Sequence, residues 1–193
     1  AERAASGIPI VFANVLNPRA GGVIDDYENP DVNITGATLD FKPEEFIAIL
    51  QTLKPGSRKI ALIYLNPRFD SLVGEIGAAL QHSGKELRVQ RIDKLEGLDQ
   101  AAGEILEEAD AFWMIADHRL FSPRTTQYLL LETLRRRIPF IGISPSYVRA
   151  GALFCLYWDS RDIGRQAGQS AVKILGGAPP NRIPVSRPRE KQV

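Results

Sequence analysis

The chain has 193 residues, 44% of them hydrophobic, enough to bury one or two compact α/β cores. Twenty-four basic against 23 acidic residues leave a net charge of +1, so no global field favours nucleic acid or an anionic membrane. No stretch approaches the roughly 20 apolar residues that span a bilayer, and the single cysteine, Cys155, excludes an internal disulfide.

Ala1–Ser6 is alanine-rich and reads as the end of a helix running into Gly7. Ile8–Ala13 and Ile34–Ala37 follow as two strands. The connection between them, Leu16 to Asn33, carries Asn17-Pro18, Gly21-Gly22, Asp25-Asp26 and Asn29-Pro30 and exceeds the usual length, so it is expected to be functional or poorly ordered. Two strands and a loop make no independently covered sheet, so further strands are expected to precede them. Asp40 is placed to cap a helix over Pro43–Leu53. Strands at Lys59–Leu65, Leu87–Ile92, Ala111–Ala116 and Pro139–Ile143 then alternate with helices at Leu72–His82, Leu98–Ala109 and Arg124–Arg137. A strand at Ala152–Tyr157 and a helix at Ile163–Leu175, capped by Asp159 or Ser160, complete the series. The apolar runs are too short for buried helices and too continuous for half-exposed strands, which predicts strands covered on both faces. Alternation of this kind predicts an α/β fold with a mainly parallel sheet and helices on both faces. Lys54-Pro55-Gly56-Ser57, His82-Ser83-Gly84 and Gly176-Gly177-Ala178-Pro179-Pro180 supply the breaks.

Several motifs occur in a telling order. Ile8-Pro9-Ile10-Val11-Phe12-Ala13-Asn14-Val15 leads to Asn17-Pro18, Gly21-Gly22-Val23-Ile24 and Asn33-Ile34-Thr35-Gly36-Ala37-Thr38. Lys59–Leu65 is followed by Asn66-Pro67. Ile138-Pro139-Phe140-Ile141-Gly142, Arg149-Ala150-Gly151-Ala152-Leu153, Asp162-Ile163-Gly164-Arg165-Gln166-Ala167-Gly168, Lys173-Ile174-Leu175-Gly176-Gly177 and Ile183-Pro184-Val185 close the set. Over Ser6 to Val185 this pattern resembles the ABC-transporter substrate-binding family, type I periplasmic-binding-protein fold, whose studied members bind aromatic amino acids.

The resemblance implies two hinge-linked lobes that close on a small ligand and deliver it to a membrane permease, outside the cytoplasm in the periplasm or at the cell surface. It implies residues 1–38 as part of the N-terminal lobe, 39–158 as a complete C-terminal lobe, 159–178 as a helix returning to the first, and 179–193 as a terminal strand or tail. The first βα units of the N-terminal lobe and any signal peptide are expected to lie outside this segment. The alternative role is a ligand-sensing domain of the same fold. Exposed sheet edges offer a route to homodimers.

Ligands in open α/β sheets bind beyond the carboxyl ends of the strands, which selects the candidate ligand-binding residues. Asn14 and Asn17 follow the first strand, although Asn17-Pro18 is also a turn opener. Asn66, Arg68, Phe69, Asp70 and Ser71 follow Lys59–Leu65 and lead into a helix whose N-terminal amides suit a carboxylate. There Asp70 or Ser71 serves equally as a helix cap, and Phe69 either stacks on an aromatic ligand or lies on the surface. Asp117, after Ala111–Ala116, either pairs with an α-amino group or is an ordinary loop carboxylate. Ser144 follows Pro139–Ile143. Trp158 and Asp159 stand at a chain crossing, where Trp158 lines the cleft or packs in a core.

No nucleophile elbow, phosphate loop, dinucleotide fingerprint or Cys/His cluster is present. His82 and His118 lie on different loops, which argues against a metal site. The sequence therefore predicts a non-catalytic binder with no cofactor, no metal and no nucleic-acid partner. Arg135-Arg136-Arg137 ends a helix, where cations suit the dipole.

Overall fold

The computed structural model describes residues 7–30, 33–189 and 191–193. The helix end expected over residues 1–6 lies outside them. The chain divides into two compact units, one formed by Ala1–Phe41 with Tyr157–Gln192, the other by Lys42–Leu156 with Val193.

The second unit is a five-stranded parallel sheet. Its strands are β3 (Lys59–Tyr64), β4 (Glu86–Arg91), β5 (Ala111–Trp113), β6 (Phe140–Gly142) and β7 (Phe154–Cys155), in the spatial order β4-β3-β5-β6-β7. Five helices accompany them: α1 (Pro43–Leu53), α2 (Asp70–His82), α3 (Leu98–Leu106), α4 (Pro123–Arg135) and α5 (Pro145–Arg149). Strand alternation sorts the side chains onto the two faces. Ala61, Ile63, Leu65, Phe112, Met114 and Phe140 meet α3 and α4 through Leu98, Ala101, Leu106 and Leu129. On the opposite face Phe46 of α1 lies with its ring 5.0 Å from Trp113 and 6.4 Å from Phe154. Burial of a Phe or Leu side chain in such a core contributes roughly 1.5–3 kcal/mol.

Local signals set the helix ends. Ser122 caps α4 by accepting from Thr125 N at 3.2 Å, and Thr125 Oγ1 accepts in return from Ser122 N at 2.9 Å. At the amino end of the sheet Asp110 accepts from the amides of Arg58 and Lys59, each at 2.8 Å, and so ties β3 to the start of β5. Burial pushes its carboxyl up, but the Lys59 and Arg58 amides outweigh that and hold it below the ordinary range. A depressed carboxylate stabilises the fold above its unfolded value and loses that contribution as pH falls through the lower folded value. Asp110→Ala is therefore expected to cost about 1 kcal/mol near neutrality and to shrink towards zero in acid; equal losses at both pH values in urea titrations would contradict this.

Two expectations change here. The Leu87–Ile92 run is not covered on both faces: as β4 it forms the sheet edge, with Val89 47% exposed and Arg88 paired to Glu86 and Glu108. Edge strands need such charges to resist pairing. Asp40 does not cap α1. The residue before the helix is Lys42, whose amide donates to Glu45 Oε2 at 2.9 Å.

The first unit pairs β1 (Ile10–Val15) with β2 (Ile34–Thr38) in parallel and packs α6 (Ser160–Leu175) onto both. Like β4, β1 is only partly covered. Gly36 opposes Phe12, and a Cβ at Gly36 would fall 2.2 Å from the Phe12 carbonyl oxygen, so only glycine fits. Thr35 donates its hydroxyl to Ile183 O at 2.6 Å, and Ser186 bridges to Ala37. A short antiparallel pair, β8 (Tyr157–Trp158) with β9 (Lys191–Gln192), completes this unit.

Candidate functional site

In the second unit β3 has β4 on one side and β5 on the other, so successive connections leave it in opposite directions. A crevice opens beyond the carboxyl ends of the two strands at such a reversal, and ligands of open α/β sheets sit there. Residues 65–66 and 115–119 follow these two strands.

Asp117 organises this end of the sheet. Its carboxylate accepts from Leu65 N at 2.7 Å and Asn66 N at 2.8 Å through Oδ2, and from Arg119 N at 3.0 Å through Oδ1. The side chain has no solvent exposure. Pairing with a ligand α-amino group, one of its two sequence readings, is thus not open to it in this conformation. Asp117 holds the post-β3 and post-β5 loops together instead.

Asn66 is half-buried beside it. Its Oδ1 accepts from Arg68 N at 3.2 Å and caps a short 3-10 turn at Pro67–Phe69, while its side-chain nitrogen bonds to nothing among the described residues. That nitrogen carries two N–H donors. Ser144, after β6, has its hydroxyl 2.7 Å from that of Ser146. Arg68 and Ser71 are exposed.

Two other candidates prove structural. Asp70 opens α2 without capping it: its carboxylate accepts the Tyr64 hydroxyl at 2.6 Å and pairs with Arg91 at 3.2 Å. Burial and then the Asp70 carboxylate push the Tyr64 hydroxyl up to about 12. Phe69 is neither on the surface nor free to stack; it is 4% exposed.

In the first unit the register slips between Ala13 and Val15, so Asn14 forms a bulge and stands exposed with φ 57°. Asparagine tolerates this left-handed region better than most residues, and bulges re-aim side chains at strand ends. Asn17, at φ 51°, donates its amide to Asp40 Oδ1 at 2.8 Å. Tyr27 donates its hydroxyl to Asp40 Oδ2 at 2.5 Å, and Arg187 lies 4.1 Å over the Tyr27 ring. Burial raises the Asp40 carboxyl, against the lowering effects of Tyr27, Asn17, Thr38 and Arg187. The long connection is therefore pinned, with Ile24 buried in the core and Tyr27 O accepting from Val185 N at 2.8 Å. Trp158 packs against Ala37, Leu39 and Ile163, and Asp159 caps α6 by accepting from Arg161 N at 2.8 Å. Sequence reading missed the Asp40–Tyr27 pair, and its one signal was the abnormal loop length.

Among the described residues no cluster of three or more His, Cys, Asp or Glu is disposed to hold a metal, and no helix is long and apolar enough to cross a membrane.

The parallel sheet and its crevice place this chain among the periplasmic-binding-protein-like α/β folds. More particularly, residues 2–193 match the ABC transporter substrate binding protein family, and the chain belongs to it. Over its whole length it is 24% identical to the tyrosine-binding protein of Clostridioides difficile strain R20291, of which it spans 56%. A conserved domain protein from Vibrio cholerae superposes with TM-score 0.72 at 22% identity, over 95% of this chain and 62% of that one. The domain solved with L-Trp from Streptococcus pneumonia superposes with TM-score 0.69 at 19% identity, over 93% of this chain and 61% of that one. These likenesses establish the fold, and the chain spans a little over half the length of its curated relative.

Proposed function

We propose that this chain belongs to the extracytoplasmic solute-capture component of an ABC uptake system, that it is non-catalytic, and that its ligand is an amino acid with an aromatic side chain. The carrying observation is the reversal of strand order at β3/β5, beyond whose carboxyl ends ligands of open α/β sheets bind. Asp117 fixes the backbone there, while Asn66 presents unused N–H donors. Asn66, Arg68, Ser71 and Ser144 are the contacts proposed for this unit. Asp117 acts by positioning. Family membership, a relative named for tyrosine and a structural neighbour holding L-Trp support the ligand class. The permease of the same transporter is the proposed partner.

The test is calorimetric titration of the protein with tyrosine, tryptophan and phenylalanine, and with glucose and uridine as controls. Binding of an aromatic amino acid is expected, and Asn66→Ala is expected to weaken it about 10-fold, the equivalent of one good hydrogen bond. The melting temperature should fall by only about 2–4 °C, because a single cap worth about 1 kcal/mol is lost. Binding of glucose or uridine alone would end the amino-acid assignment.

A further inference from the structure

A second surface of the Lys42–Leu156 unit is formed by α4 and α5. Helix α4 leaves Leu131 and Leu134 exposed, at 45% and 67%, although they follow Leu129 and Leu130, which are buried. They line a groove of about 620 Å³ between α4 and α5, floored by Leu130 and Tyr147. A second groove of about 360 Å³ continues past Leu134 and Gly151 to Leu153 and Arg137. Leu153 is 41% exposed. Adjoining apolar grooves of this size on a charged helix mark contact surfaces more often than chance.

The rim has one sign. No carboxylate lines either groove, and Lys54 and Arg137 line the second. Glu132, on the same helix, is already engaged by Arg135 and Arg136. Arg124, one helical turn before Gln127 on the lining face, and Arg149, beside the lining residue Ala150, are exposed and enter no ion pair among the described residues.

Arg137 carries an independent signal. It ends α4 in the left-handed region at φ 57°, with Arg137 N donating to Leu134 O at 3.0 Å and Ile138 N to Thr133 O at 2.8 Å. Glycine takes that position without strain. Here an arginine takes it, exposed and unpaired, at the mouth of the second groove. A strained residue with no internal partner points to an external one.

We infer that the α4–α5 grooves dock an acidic amphipathic protein segment, with apolar side chains seated on Leu131, Leu134 and Leu153 and flanking carboxylates meeting Arg124, Arg137 and Lys54. A second copy of the chain is the poorer occupant, since a two-fold contact would set these cations against themselves.

The probe is a synthetic helical peptide with leucines at i, i+3, i+4 and i+7 and glutamates on both flanks, compared with its lysine-flanked twin. Binding is read by backbone amide shifts of the labelled protein. The acidic peptide is expected to shift α4 and α5 resonances and to bind at least 10-fold tighter than its twin in low salt, with the difference shrinking as salt rises. Leu134→Glu should abolish the effect. Arg137→Gly should raise the melting temperature by about 2 °C or more while weakening the acidic peptide, a pairing that a purely structural arginine would not give. Equal binding of both peptides, shifts confined to other surfaces, or a dimer in sedimentation that Leu134→Glu dissolves would each overturn the inference.

Discussion

Asp117→Ala is expected to destabilise the Lys42–Leu156 unit by about 3–4 kcal/mol, a large share of the roughly 5–15 kcal/mol available to a domain. The carboxylate is fully buried and accepts three backbone amides. Truncation leaves the Leu65 amide buried without an acceptor and the Asn66 amide partly so, at roughly 1–3 kcal/mol for each such donor. Arg119 is exposed, so water replaces its bond. Asp117→Asn should lose clearly less, because its one amide oxygen can take the place of Oδ2 and keep the Leu65 and Asn66 amides, leaving only the exposed Arg119 amide to water. Urea titration should show a lower midpoint with an unchanged slope. Ligand affinity should fall in Asp117→Ala, where Asn66 loses its fixed backbone, and much less in Asp117→Asn, whereas Asn66→Ala should reduce affinity with little change in stability. A loss below about 1 kcal/mol in Asp117→Ala would show that the amides find other partners and that the crevice is held by something else.

The contrast between these two residues also shows what the sequence made legible. The rhythm of apolar runs located all five strands of the parallel sheet to within a few residues, because strands buried on both faces need continuous apolar side chains. It misjudged β4, whose Leu87 and Val89 look internal until the spatial order puts the strand at the edge. The order of strands is long-range information, and it determines which loops meet. Asn66 and Asp117 could each be named as strand-end polar residues, yet only the fold brings the Asp117 oxygens to the Asn66 amide across 51 positions. Phe69 was misread for the same reason: its neighbours Arg68 and Asp70 are exposed, and the 3-10 turn rotates it inward. Asp40 followed a capping rule that is sound locally, but Tyr27 and Asn17 competed for its carboxylate and won.

That competition gives the second large effect. Asp40→Ala is expected to cost about 2–3 kcal/mol, since the Tyr27 hydroxyl and Asn17 amide lose a buried acceptor and the long connection loses its anchor to β2. Its pH dependence runs opposite to that of Asp110. Burial raises the Asp40 carboxyl above the ordinary value of 3.8, so the folded state holds its proton more tightly than the unfolded state does. The stabilisation is fully present below the unfolded value and is lost as pH rises through the raised folded value. Asp40→Asn keeps a neutral acceptor for Asn17 and cannot ionise. The stability of the wild type relative to Asp40→Asn should therefore fall as pH rises above the ordinary value of 3.8, and thermal unfolding of both proteins from acid to neutral pH measures it. Taking the difference removes Asp110, Asp26 and Glu108, whose lowered carboxyls bias both proteins the other way. A difference that grows with pH would mean that Tyr27, Asn17 and Arg187 together outweigh burial and that the anchor works as an anion.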